Sequence, residues 1–170
     1  MHNLERKFIC PDLAAAENAA LRLGATDRGI AHQRDLFFPA PLARLKLRIN
    51  NATQSAELIS YRRADSHDAR ISEFHIAPVS NPESLAAALT QALGQPQELA
   101  KTRHLFIYRS TRIHLDKVDG RGSFVELETL LTGGGLSVEA AEEELRTVVH
   151  ALGLSQTVPG AYVDLPAQQP

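Results

Sequence analysis

Cysteine is nearly absent from this sequence: among 170 residues there is one, Cys10. One thiol makes no intrachain disulfide and no thiolate metal cluster, so a reducing, cytoplasmic setting is expected. Cys10 precedes Pro11 at the end of an expected strand, where it serves as packing. Tryptophan is missing and aromatics make up 5% of the chain. That leaves few stacking platforms for single-stranded nucleic acid, and the net charge of -2 removes the general polycationic attraction to it. No apolar run approaches the ~20 residues of a membrane span. The first residues, from Met1 to Lys7, meet charge at once and lack the apolar centre of a signal peptide. Neither a nucleic-acid partner nor a membrane is expected. No low-complexity linker divides residues 1–170, which read as one domain.

What is present is helix punctuation around strand periodicity. Asp12 and Gly24 bracket a helix over Leu13–Leu23. Asn81, with Pro82 and Glu83 after it, opens a second helix that Gly94 closes. Ser137, followed by Glu139 and Glu142, opens a third that ends at Gly153. Such caps satisfy free backbone N–H groups, and early carboxylates suit the positive helix end. In the third helix Val138, Ala141, Leu145, Val148 and Leu152 form one apolar stripe.

Elsewhere the period is two. Strands are expected at Leu4–Cys10, Gln33–Phe38, Leu45–Asn50, Glu57–Arg63, Arg70–Ala77, Ala100–Tyr108, Thr111–Val118 and Ser123–Leu131, in an α+β arrangement of antiparallel strands. A faint repeat, offset by 68 to 70 residues, places Glu5 with Glu73, Leu23-Gly24 with Leu93-Gly94, and Arg34 with Arg103. It suggests two β-α-β-β-β halves. The tail from Pro159 is expected to contribute one docked turn.

Alternate strand residues share a face. Glu5 shares one with Lys7, Lys46 with Arg48, Lys101 with Arg103, Arg112 with His114 and Asp116, and Glu126 with Glu128. Leu45, Leu47, Ile113, Leu115, Val125 and Leu127 fall opposite, where helices can pack. A charged sheet face ordinarily meets solvent. Here, however, like charges are paired on one face, and the carboxylates gather in the last strand. Grouped Lys and Arg suit an oxyanion, and grouped carboxylates suit a hard cation. Phosphate with a divalent ion satisfies both. His114 shares the charged face, where a strand histidine ordinarily serves as a hydrogen-bonded wall residue.

Glu5-x-Lys7 is similar to the later part of the Glu-x-Glu-x-Lys motif of CYTH domains, the triphosphate tunnel metalloenzyme superfamily. The block from Arg112 to Glu128 resembles the class IV adenylate cyclase branch. Weaker matches follow in order: Leu58 to Arg63, Arg70 to Phe74, Lys101 to Arg103 and Ala161 to Leu165. The resemblance implies an eight-stranded antiparallel β-barrel, or tunnel, with helices outside and charges inside. It also implies that Lys7, Lys46, Arg48, Arg62, Lys101, Arg103 and Arg112 grip a triphosphate such as ATP. Arg70 would be an extra contact, and Arg63 has the opposite parity to Arg62. Glu5, Asp116, Glu126 and Glu128 would hold Mg2+ or Mn2+, and Glu5, Lys7 and Asp116 form the implied catalytic set. The resemblance implies cyclisation of ATP to cyclic AMP and pyrophosphate first, with hydrolysis of tripolyphosphate or thiamine triphosphate and non-catalytic sensing as the alternatives. A homodimer is implied by its frequency among relatives. Two positions depart from the pattern: Asn3 stands where the first motif Glu is usual, and Arg121 where the cyclase branch often has an apolar residue.

Overall fold

The computed structural model describes residues 2–51, 55–62, 69–131 and 136–167, with the Arg70 side chain excepted. Its strands are β1 (His2–Ile9), β2 (Thr26–Phe38), β3 (Arg44–Asn50), β4 (Ser55–Arg62), β5 (Arg70–Val79), β6 (Gln97–Tyr108), β7 (Thr111–Val118) and β8 (Gly122–Leu130). Its helices are α1 (Leu13–Leu23), α2 (Pro82–Leu93) and α3 (Val138–Ala151), and a 3-10 turn covers Tyr162–Asp164. The caps act as the sequence suggests. Asp12, Asn81 and Ser137 side chains accept from the backbone N–H groups of Ala15, Ser84 and Ala140. Gly24 closes α1 in the left-handed region at φ 89°, where a Cβ would be strained.

All eight strands pair antiparallel and close in the order β1-β5-β4-β3-β2-β6-β7-β8. The element order β-α-β-β-β occurs twice, and exchanging β1–β4 for β5–β8 reproduces the same set of strand pairings, with β1-β5 and β2-β6 mapping onto themselves. The residue-level repeat fails, however. Glu5 faces the interior whereas Glu73 is exposed on the outer face, and Arg34 pairs outside with Glu98 whereas Arg103 is buried inside. The elements repeat, but the aligned residues lie one position out of phase.

Strand β2 begins seven residues before the expected Gln33. Its first half, with Asp27-Arg28-Gly29, carries turn chemistry rather than alternation. Gly29, at φ 89°, sits where the β2–β6 register shifts between Asp27 and Ile30, and Asp27 Oδ1 accepts from Gly29 N–H at 2.7 Å. This is a bulge inside a strand, not its end.

The barrel wall has an aliphatic outside. Leu4, Phe8, Ile113, Leu115, Val125 and Leu127 pack outward against Ala16 and Ala20 of α1 and Ala141, Leu145 and Val148 of α3. Leu36, Phe38 and Leu47 do the same beneath Leu85 and Leu89 of α2. Cys10 is buried in the first of these layers, as packing. No helix among the described residues is long and apolar enough to cross a membrane. Arg121 lies half-buried in the β7–β8 turn, its N–H donating to Val118 O, a position that demands no apolar side chain.

One polar residue pins α3 to the wall. Glu144 Oε1 accepts from Ser110 N–H at 2.9 Å and from Thr111 Oγ1 at 2.7 Å, at the tight turn where Arg109 takes φ 51°. Truncation strands the Ser110 N–H and leaves the Thr111 hydroxyl with Thr129 Oγ1 alone. Glu144→Ala is expected to lower the thermal midpoint by about 5–10 °C, and Glu144→Gln, which keeps an acceptor, by less, as read by circular dichroism.

Candidate functional site

Closing a sheet with charged residues on its inner face puts those charges in one small space. The interior is a cavity of about 430 Å³. Into it point Asn3, Glu5 and Lys7 from β1, Asp35 from β2, Lys46 and Arg48 from β3, and Glu57 from β4. Lys101 and Arg103 enter from β6, Arg112 and His114 from β7, and Glu126 and Glu128 from β8.

Register decides how these charges meet. Asp35 lies opposite Arg48, Arg103 opposite Asp116, Lys7 opposite Glu126, and Arg112 opposite Glu128. Asp35 accepts from Lys46 Nζ at 2.9 Å and from Arg48 Nε and Nη2, each at 2.8 Å. Asp116 accepts from Arg103 Nε at 2.7 Å and Nη2 at 2.6 Å, and from the Tyr162 hydroxyl at 2.8 Å. Glu126 accepts from Arg103 Nη2 at 2.6 Å and stands 3.3 Å from Lys7 Nζ. The docked turn completes the cavity: Lys7 Nζ donates to Gly160 O at 3.1 Å and lies 4.1 Å from the Tyr162 ring centre.

Burial and neighbours set the protonation states. Burial pushes the Lys101 ammonium down to about 7, with the Arg103 charge acting the same way and Asp116 opposing. Burial, then Arg48, brings Lys46 to about 8. For Asp116 and Glu126 burial alone would raise the pKa. The charges of Arg103 and Lys101 overcome it at Asp116, and those of Lys7 and Arg103 contribute at Glu126, so both remain carboxylates. Burial, followed by Arg103, lowers His114.

Among the described residues the interior charges are close to balanced: Lys7, Lys46, Arg48, Lys101, Arg103 and Arg112 are matched in number by Glu5, Asp35, Glu57, Glu126 and Glu128 of the lining together with Asp116 buried behind Arg103. A polyanion entering alone would upset that balance, and one entering with divalent cations restores it. The donors for a cation are in place. Glu5 and Glu128 sit directly opposite on paired strands, and ligand atoms of His114, Glu126 and Glu128 all lie within 4.8 Å of one another. Asn3 Oδ1 and His114 Nδ1 are buried with no hydrogen-bond partner. Oxygen donors of this kind, together with an imidazole nitrogen, fit a divalent ion.

The matching family model is the CYTH domain, over residues 1–162. The chain belongs to the CYTH family. Solved structures share its fold. The PH1012 protein from Pyrococcus horikoshii OT3 is 23% identical, with a TM-score of 0.83, covering 96% of this chain and 98% of its own. A candidate adenylate cyclase from Vibrio parahaemolyticus is 18% identical, with a TM-score of 0.76 and 95% of each chain covered. A Hippeastrum protein, described as a candidate adenylyl cyclase that reveals a dominant triphosphatase activity, is 17% identical, with a TM-score of 0.66, covering 94% of this chain and 91% of its own. No match was found among curated proteins.

Most residues expected in the CYTH tunnel do meet there: Glu5, Lys7, Lys46, Arg48, Lys101, Arg103, Arg112, Glu126 and Glu128. Arg62 does not. Glu57, Ile59 and Tyr61 take the inward positions of β4, so Arg62 points outward, and its Nε donates to Leu42 O at 3.0 Å. Arg63 lies outside the described residues, as does the Arg70 side chain. Asp116 is placed differently from a metal ligand. It is fully buried behind Arg103, with its oxygens taken up by Arg103 and Tyr162. The sequence expectations missed Asp35, although it alternates with Gln33 and Phe37 on the inner face of β2. They also missed Glu57 and the inward Tyr162, and an apolar shelf of Ile59, Tyr61 and Phe74 on the cavity wall.

Two expectations follow for the CYTH cavity. Asp35→Asn leaves Lys46 and Arg48 without their counterion and should cost about 3–5 kcal/mol in urea unfolding. Added tripolyphosphate should then recover more stability in the variant than in the parent. In the empty protein Lys101 and Lys46 lose protons as pH rises past 7 and 8, so an anion binding above that range must restore them. Calorimetry with sulfate, whose own charge is constant, should show weaker binding with proton uptake at about pH 8.5 than at about pH 6. Uptake should diminish in Lys101→Met.

Proposed function

We propose that this CYTH domain acts on ATP with Mg2+ or Mn2+ as an adenylate cyclase, releasing cyclic AMP and pyrophosphate. The observation that carries this reading is a cavity that, among the described residues, combines six inward basic side chains, a facing group of carboxylates and an apolar shelf of Ile59, Tyr61 and Phe74. The basic and acidic groups suit a metal-bound triphosphate. The shelf suits an organic group attached to it, which inorganic tripolyphosphate lacks.

Lys7, Lys46, Arg48, Lys101, Arg103 and Arg112 position the phosphates, and Asp116 holds the Arg103 guanidinium in a fixed plane. Glu5, Glu126 and Glu128, with the Asn3 carbonyl beside them, would hold the cation. When bound, the metal neutralises charge developing on the phosphoryl oxygens. The ribose 3′-hydroxyl oxygen bonds to the α-phosphorus as the bond to pyrophosphate breaks, the hydroxyl proton passes to water, and no side-chain nucleophile is required. A second reading has water attack a terminal phosphorus, giving orthophosphate. It is supported by the triphosphatase activity described for the Hippeastrum protein. Asn3 supports a third reading, a non-catalytic sensor, because its amide brings no charge to the cation and accepts no proton as a base.

Product analysis decides among these. Purified protein is incubated with Mg2+ or Mn2+ and, in parallel, ATP, tripolyphosphate and thiamine triphosphate. Cyclic AMP plus pyrophosphate is expected, and orthophosphate without cyclic nucleotide would replace cyclisation with hydrolysis. Tight metal-dependent binding without product, cured by Asn3→Glu, would establish the sensor. Lys7→Ala and Arg103→Ala should weaken triphosphate binding by about 10-fold or more, and Glu126→Ala and Glu128→Ala should raise the metal requirement. Unchanged binding and turnover in all four folded variants would remove the tunnel from the function.

A further inference from the structure

His114 does not behave as a wall histidine. Its side chain is 6% exposed, and it stands on the inner face of β7 between Arg112 and Asp116. A structural imidazole at such a site normally closes a hydrogen bond of 2.7–3.2 Å. Here Nδ1 makes no contact that short. It is aimed between two carboxylates, 3.6 Å from Glu126 Oε2 and 3.8 Å from Glu128 Oε1. Donor atoms that share an ion at about 2.1 Å stand about 3 to 4 Å apart. His114 Nδ1 already keeps that spacing to each carboxylate, and all three donors lie within 4.8 Å of one another.

We infer that His114 Nδ1 joins Glu126 and Glu128 in a mixed nitrogen–oxygen site that takes a first-row transition dication in preference to Mg2+. The inference rests on the metal-dependent reading above and specifies a ligand and an ion class within it. Imidazole nitrogen is a poor donor for Mg2+, which favours oxygen and retains its waters, whereas Mn2+ and Co2+ accept it.

The competing contacts show how such an ion would act on the cavity. Glu126 Oε2 is occupied by Arg103 Nη2 at 2.6 Å, Glu126 Oε1 faces Lys7 at 3.3 Å, and Glu128 Oε2 faces Arg112 at 3.8 Å. A cation drawing on these carboxylates weakens their hold on all three basic side chains. Arg103 stays oriented, because Asp116 binds it through two nitrogens. The basic groups are then directed to an incoming phosphate, so metal and anion should bind cooperatively.

The test uses the full chain with Mn2+, Co2+ and Mg2+, each with and without tripolyphosphate. Pulsed EPR of bound Mn2+ should show coupling to an imidazole nitrogen that His114→Asn abolishes. Titrations should show the Co2+ affinity falling about 10-fold or more in that variant while Mg2+ affinity changes little. Because the nitrogen signal is read in the unmodified protein, a variant that folds poorly does not decide the result. Mn2+ bound with no nitrogen coupling, or an unchanged ratio of Co2+ to Mg2+ affinity in a folded variant, would overturn the inference and leave a carboxylate metal site intact. Coupling that persists in His114→Asn would also overturn it. If none of the three ions binds, even with tripolyphosphate, the metal-dependent reading itself falls.

Discussion

Arg103 is gripped by two carboxylates, Asp116 and Glu126, inside a closed barrel, and the remaining interior charges are arranged around that contact. Taking such ions out of water costs several kcal/mol each, and only close pairing offsets the cost. Asp35 answers Lys46 and Arg48, Asp116 answers Arg103 and Lys101, and Glu126 answers Lys7 and Arg103. Since paired ions of this kind add little net stability, the fold must be held elsewhere. It is held by the aliphatic layers between the outer wall and the three helices.

This division has a consequence for chemistry. The interior carries fixed, opposed charges at short range, so its dipoles are oriented before any ligand arrives. In the proposed function, a phosphate would replace a carboxylate as the partner of an arginine, and a divalent ion would replace the arginine as the partner of a carboxylate. Tyr162 fixes the far side of this exchange, touching Asp116, Lys7 and Lys101 at once.

Much of the architecture was legible because period-two alternation is a local property. Ile113 and Leu115 against Arg112, His114 and Asp116, or Val125 and Leu127 against Glu126 and Glu128, separate wall from interior without any knowledge of partners. Helix ends were legible for the same reason, since Asp12, Asn81 and Ser137 act within one turn. The errors fell where alternation is weak or phase is ambiguous. Thr26 to His32 carry a bulge that breaks the period. Arg62 was placed on the wrong face because two adjacent arginines leave the phase of β4 open, and Ile59 with Tyr61 settles it. The repeat aligned Glu5 with Glu73 and Arg34 with Arg103 by letter, although each pair occupies opposite faces.

The sequence by itself determined which strands carry charge on one side, where the helices begin and end, and which family pattern the chain matches. Only the tertiary structure decided which charges meet. Register across strands far apart in the chain set Asp35 against Arg48 and Lys7 against Glu126, and buried Asp116 behind Arg103 rather than opening it to the cavity. The C-terminal turn reached the same cavity from more than 40 residues beyond Asp116 to bring in Tyr162. Those pairings depend on closure of the barrel, a long-range event that no local pattern encodes, and protonation states and ligand geometry follow from it.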